Sequence, residues 1–383
     1  MRITPDSSGK TEDTYEIERV SDLWFEDGGL VIQADQCYFK IFKGMLTARS
    51  SVFKTILDEG PTTTKRCVDG CHLLQVSDSA ADMTYFLKAI FDSGCAPNLR
   101  LDFSSTHAPL GRFFEPAPAP TDFRIISGVL RLSHKYDVQY LRRRALAHLS
   151  SAYPATFAAY QNREDGAPTR SNRSFPEPTS PSDHFGILRL AKEVGVLWVL
   201  PTEVYHCCQY EPAIILDKAG PDWASVVLAA STRLRSKHLF LLHHLATPLS
   251  GNNGCSTYSK CALARVRLFM TRAAHHEADP LAPVTDAEWD FLSEETCDQC
   301  LADAKNLFRE WRLSIWEDIP EMLDLPTWEE LEQLKAEDLV PQVGVPVNLN
   351  MVRSSSPDLS QDVQSQLHYT SESDDETISI GLY

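Results

Sequence analysis

Apolar residues are spaced in two different ways along this chain. Near the start they come in short runs broken by turn residues. Residues 23–26 mix aromatic and aliphatic side chains, as a strand does, and Leu30-Val31-Ile32 is a second run, continuous enough to be largely buried. Between them, Asp27-Gly28-Gly29 predicts a tight hairpin, because glycine supplies the positive φ that such a turn needs. From Phe39 the spacing turns helical. Phe39, Phe42, Leu46 and Val52-Phe53 predict two short helices, with Ser50 placed to cap the second. Residues 72–76 read as a further strand and Ser77-Asp78 as a cap. Met83, Phe86-Leu87 and Ile90-Phe91 then recur at the spacing of an amphipathic helix.

Downstream the helical period dominates. Pro97, Pro109, Pro116, Pro118 and Pro120 first mark a loop or extended segment. Ile126, Leu130, Tyr136, Val138, Leu141 and Leu146 then carry a helical pattern to Leu149. Residues 162–182 are polar and rich in Pro and Ser, the composition of a linker. Beyond them Phe185, Leu188, Leu190-Ala191, Val194 and Leu197-Trp198 form a stripe ended by Pro201, and residues 223–234 and 238–245 predict two more helices. Thr285 with Glu288, and Thr327 with Glu330, have the spacing of capping boxes, in which hydroxyl and carboxylate satisfy free amides at a helix start. Residues 354–383 contain no Lys or Arg, and such a segment cannot bury enough surface to offset its ordering entropy.

The expected architecture is therefore α+β. A flexible lead (1–20) precedes a small mixed sheet packed with helices (21–155), which carries a Pro-rich insertion at 94–121. A linker (156–182), an all-helical domain (183–340) and a disordered acidic, Ser-rich tail (341–383) follow.

Net charge narrows the partners. At −17, the chain is a poor generic ligand for nucleic acid or anionic membrane, since phosphate contacts require clustered Lys and Arg. Arg142-Arg143-Arg144 is the compact basic cluster, read as a solvated helix face. The polar start lacks the apolar core of a signal peptide, and no apolar run approaches the ~18 residues of a membrane span. An intracellular protein, cytoplasmic or nuclear, is expected. Its ten cysteines are then thiols or metal ligands rather than disulfides, and the Asn172-Arg173-Ser174 sequon has no role.

Four of those cysteines form the strongest chemical constellation. Cys297-x-x-Cys300 can set two sulfurs on one helical face, and Cys255 and Cys261 flank a Ser/Thr/Tyr-rich turn. Two such pairs suffice for a filled, structural Zn²⁺ shell. The competing reading is equally concrete. Cys297, Cys300, Ala304, Phe308, Trp311 and Ile315 share one stripe, and free cysteine packs as a small hydrophobe. His275 and His276 are reserve ligands near a loop proline. His243-His244 and Cys207-Cys208 are adjacent pairs whose side chains diverge, so they read as packing residues. His134 is expected as a hydrogen-bonded histidine between helices. No G-x-S-x-G, Walker, G-x-G-x-x-G or H-E-x-x-H motif occurs, and a non-catalytic chain is expected. Ser371 and Ser373, among acids, suit acidophilic kinases.

Phe39, Ile41, Lys43, Leu46, Ala48, Arg49, Ser50, Val52 and Phe53 resemble, in order, the signature run of BTB/POZ domains, with Phe42 where that family has histidine. Asp22 matches the family's acid before its first strand. The phrases at 128–149 and 188–207, and the insertion FFEPAPAPTDF, resemble a group of BTB proteins from mushroom-type fungi. A paired-Cys segment followed by Cys-x-x-Cys is similar in that group too. The resemblance spans about residues 22–334. It implies a protein-binding fold whose uses are self-association, as a homodimer, and docking to a cullin-type ubiquitin ligase scaffold as substrate adaptor. A BTB scaffold or transcriptional regulator without a ligase role is the alternative. Many ligase adaptors carry an apolar residue, any residue and an acid after the second short helix. This chain has Gly60-Pro61-Thr62-Thr63-Thr64 there.

Overall fold

The computed structural model describes residues 18–59, 66–91, 113–164, 178, 180–246, 254–274 and 279–340. Its first element is a five-stranded mixed sheet made of β1 (Glu18–Trp24), β2 (Leu30–Ala34), β3 (Cys37–Ile41), β4 (Cys67–Val68) and β5 (Cys71–Val76), in the order β1-β3-β2-β5-β4. β2 is central, and Leu30, Val31, Ile32 and Ala34 are all buried, as an uninterrupted apolar run requires.

The expected hairpin at residues 27–29 does not form. β1 pairs with β3 in parallel, and the tight hairpin joins β2 to β3, with Asp35 at φ 48°. Neither Gly28 nor Gly29 uses a positive φ. Gly28 is needed for a close approach instead. A Cβ there would lie 3.0 Å from both Lys40 Cγ and the Phe25 carbonyl oxygen. The first strand also starts earlier than expected, at Glu18, inside the segment read as a lead.

Two short helices follow, α1 (Lys43–Arg49) and α2 (Ser51–Glu59). Ser50 caps the second as expected, accepting from the Phe53 amide at 3.0 Å while donating to the Tyr136 carbonyl at 2.6 Å. Phe42, the departure from the BTB pattern, joins an aromatic trio with Phe25 and Phe91, with centroids 5.0 and 6.5 Å away. Helix α3 (Ala80–Phe91) buries Met83, Phe86, Leu87 and Ile90. Its cap is the Ser79 hydroxyl, which accepts from the Asp82 amide, rather than Ser77-Asp78. Asp78 is instead engaged by Lys135 and by the Tyr136 hydroxyl. Helices α4 (Phe123–Lys135) and α5 (Gln139–Ser150) close this part of the molecule.

The rest is helical: α6 (Phe157–Glu164), α7 (Pro181–Val194), α8 (Leu200–Cys207), α9 (Pro212–Lys218), α10 (Pro221–Ala246), α11 (Tyr258–Ala274), α12 (Asp286–Glu295), α13 (Asp298–Met322) and α14 (Trp328–Leu339). Helix α6 occupies the start of the segment read as a linker, and Phe157 and Tyr160 are buried against Trp316. Gly195, in the left-handed region at φ 71°, ends α7, so Pro201 opens a helix instead of ending one. The two helices expected within 223–245 are one, α10. Both capping boxes form, at Thr285/Glu288 and Thr327/Glu330.

One hydrophobic cluster runs without a break from the sheet into the helices, including Ile32, Phe53, Leu130, Phe185, Trp198, Val227 and Trp316. Helix α14 fastens the two parts. Lys335 donates to the carbonyls of Ser150 and Tyr153, and Asp338 accepts from Arg142 at 2.8 Å and Trp198 at 2.9 Å. Arg144 donates to the Phe114 carbonyl. The arginine cluster of α5 is thus partly a tie between elements, not a purely solvated face. No helix among the described residues is long and apolar enough to cross a membrane.

Candidate metal centre

Helices α10 and α13 each leave the main cluster part-way along. Val227, Ala230 and Leu234 of α10 belong to it, as do Ile315, Trp316 and Ile319 of α13. Farther out, Leu241 and Phe308 form a small cluster with Val284. Ala304 forms another with Ala264, Leu268 and Leu292. These outer halves, with α11 and α12, make a distal lobe. Its cysteines sit where α11 begins and where α12 turns into α13.

The chain brings all four predicted sulfurs together. Cys255, Cys261, Cys297 and Cys300 have Sγ atoms within 4.8 Å of one another, and they could hold a metal ion. Each is placed by a local feature. Gly254, at φ 76°, turns the chain so that Cys255 faces the start of α11. Cys261 lies one turn into α11. Cys297 is the N-cap residue of α13, and Cys300 lies in its first turn. Cys261 and Cys300 are buried, whereas Cys255 and Cys297 are half-buried with sulfurs 3.9 Å apart. Four sulfurs around one Zn²⁺ at about 2.3 Å would stand about 3.8 Å from one another, so the cluster is close to the size of a tetrahedral shell.

The electrostatics favour the thiolate at two of the four sulfurs and oppose it at the other two. Amides of Cys300 and Ser256 hold the Cys297 thiol down to about 6. Burial opposes ionisation of Cys261, but the Thr257 hydroxyl and the Cys297 amide, each 3.3 Å from its sulfur, bring its pKa below the ordinary value. Burial and the three neighbouring sulfurs push Cys300 up. Cys255 is also raised: the Thr257 amide favours its thiolate, but burial and the Cys261 and Cys297 sulfurs prevail. The positive end of α13 meets the cluster as well. The stripe noted in the sequence is real for Cys300, Ala304, Phe308 and Ile315, which are buried, so packing and sulfur clustering coexist on α13.

The other candidates lie elsewhere. His275 and His276 are outside the described residues. His243 is exposed, and His244 binds the Phe240 carbonyl and stacks on Trp311. Cys207 and Cys208 are buried, and burial raises both thiols, Cys208 to about 12. His134 is exposed in the last turn of α4 rather than held between helices. The segments at 60–65, 165–177 and 341–383, with the adaptor-motif position, the sequon and the acidic serines, are also outside the described residues.

One buried polar group escaped the sequence reading. Glu203 of α8 is fully buried, accepting from the Tyr153 hydroxyl at 2.8 Å and facing His184 Nδ1 at 2.7 Å. Its trace in the sequence is a lone acid in the apolar run 196–208. It joins the end of α5 to α7 and α8, a structural junction. Comparison with protein-family models, curated proteins and solved structures returned no match to this chain.

Proposed function

We propose that this chain is a non-catalytic protein-interaction module of BTB type whose helical part carries a structural zinc ion. The observation that supports it most is the use made of the signature residues. Phe39, Ile41, Leu46 and Phe53 are fully buried. Arg49 donates to the Tyr140 hydroxyl at 2.7 Å, and Ser50 to the Tyr136 carbonyl, so the signature run ties α1 and α2 to α4 and α5. These residues serve shape, as a docking platform requires, and function then lies in its surface.

The lack of an apolar-x-acid pattern at 60–64 favours a scaffold over a cullin adaptor. Affinity purification of the full chain from its native organism tests both. Recovery of specific protein partners without a cullin fits the scaffold. Recovery of a cullin with its ring-finger subunit fits the adaptor. A well-expressed chain that captures no protein above control overturns the interaction reading.

For the metal, Zn²⁺ fits the donor set and its span: soft thiolates, four in number, leave no open position for catalysis. A multi-iron cluster distributes its cysteines over several irons and holds their sulfurs farther apart. Metal analysis of purified protein is expected to give one zinc per chain.

A further inference from the structure

We infer that the metal is the folding staple of the distal lobe, so that metal occupancy switches this lobe between ordered and loosened states while the main body stays folded. The inference rests on the zinc reading above and extends it from a site to a mechanical role.

The argument starts from how little apolar matter the lobe buries. The buried members of its two clusters are Leu241, Val284 and Phe308, and Ala264, Leu268, Leu292 and Ala304, with Trp289, Phe291, Leu301, Leu307 and Trp311 half-buried against them. Cores this small and this open leave four helical segments weakly ordered, because each ordered residue costs roughly 1–2 kcal/mol of backbone entropy. Small units with this shortfall are stabilised by disulfides or metals. The described cysteines form no disulfide.

The α11–α12 pair is fastened at its two ends by different chemistry. At one end Arg272, late in α11, donates from one guanidinium nitrogen to both carboxylate oxygens of Glu288, early in α12, at 3.1 and 2.9 Å. At the other end are the four cysteines, from the start of α11 and the α12–α13 junction. The Arg272–Glu288 pair joins α11 to α12, and the same guanidinium lies over the Phe308 ring of α13. The sulfurs join α11 to α13, and α13 is the helix rooted in the main cluster. Losing the ion therefore removes the sulfur link between α11 and α13, leaving α11 held by its packing on α10, by the small apolar cluster it shares with Ala304 and by Lys260, which donates to the Glu294 carbonyl.

Hydrogen exchange on the full chain, with and without a zinc chelator, tests this, alongside metal analysis of the same samples and the variant Cys300→Ser. The expected result is one zinc per chain and, after chelation, exchange at least roughly tenfold faster in residues 258–310, with α4 and α7 unchanged. Cys300→Ser should reproduce the chelated pattern without chelator. One zinc per chain with unchanged exchange in 258–310 after its removal overturns the staple and leaves the zinc reading standing. Loosening of α4 and α7 together with the lobe also overturns it, because the lobe would not be a separate unit. No zinc retained, and none taken up from added Zn²⁺, removes both.

Discussion

The main body and the distal lobe share two helices and differ in what holds them. The body buries large side chains in one continuous cluster, with Trp198, Trp316, Phe53, Phe86 and Phe185 nearly or fully inaccessible. The lobe has two small apolar clusters and, beside them, directional features: four gathered sulfurs, an Arg–Glu pair and a capping box. Burial is non-directional and tolerates local change in proportion to the area lost. A ligand shell or ion pair is specific and is lost whole when one member goes. The same chain thus uses bulk where apolar residues are plentiful and directional contacts where they are sparse.

Four measurements sharpen or break this contrast. Trp316 stacks flat on Trp328 at 4.4 Å and packs on Tyr160 at 4.9 Å, so Trp316→Ala should lower global stability by about 3–5 kcal/mol in urea unfolding. A change near zero would deny the body its dominant core. Leu268→Ala, in the lobe, should cost about 2–3 kcal/mol but be felt only by amides of α11, α12 and the outer half of α13. A matching shift in the global midpoint would merge the two regions. Thr285→Ala removes the box that starts α12, and a loss of about 1 kcal/mol confined to the lobe is expected by hydrogen exchange.

The smallest effect is a matter of pH. In metal-free protein the Cys297 thiolate is favoured, with its pKa at about 6 against the ordinary thiol value near 9. That stabilising contribution is complete above the ordinary value and disappears as pH falls through about 6. Alkylation of Cys297 by iodoacetamide should accordingly stay flat between pH 8 and pH 7 and drop by half near pH 6. Cys207 and Cys208, raised by burial, should stay unreactive until the body unfolds. Equal labelling of all three at pH 7 would contradict this division.

Much of this was legible in local chemistry. Both capping boxes, the Ser50 cap and the apolar faces of α3 and α7 are encoded within a few neighbouring residues, and each appears where its pattern lies. Strand pairing was not legible. Asp27-Gly28-Gly29 has hairpin composition, yet its first glycine answers to the Lys40 side chain twelve positions on, a contact fixed only once β3 lies beside β1. Cys-x-x-Cys and the Cys255/Cys261 spacing named the four cysteines, but spacing cannot say that two helices bring them within reach. The Glu203 junction was missed because Tyr153 and His184 come from distant segments. Continuity of α10 past Leu234 was missed as well, since its outer half changes partners and so changes its apolar phase.

Because α10 and α13 cross from one region to the other without interruption, the described residues offer no seam between body and lobe. A protease or a gene fusion that respected secondary structure would keep the lobe attached. Transplanting it onto another protein would mean severing two helices in mid-span and supplying new anchorage for both stumps. Any evolutionary exchange of this lobe must then have carried its footing along with it.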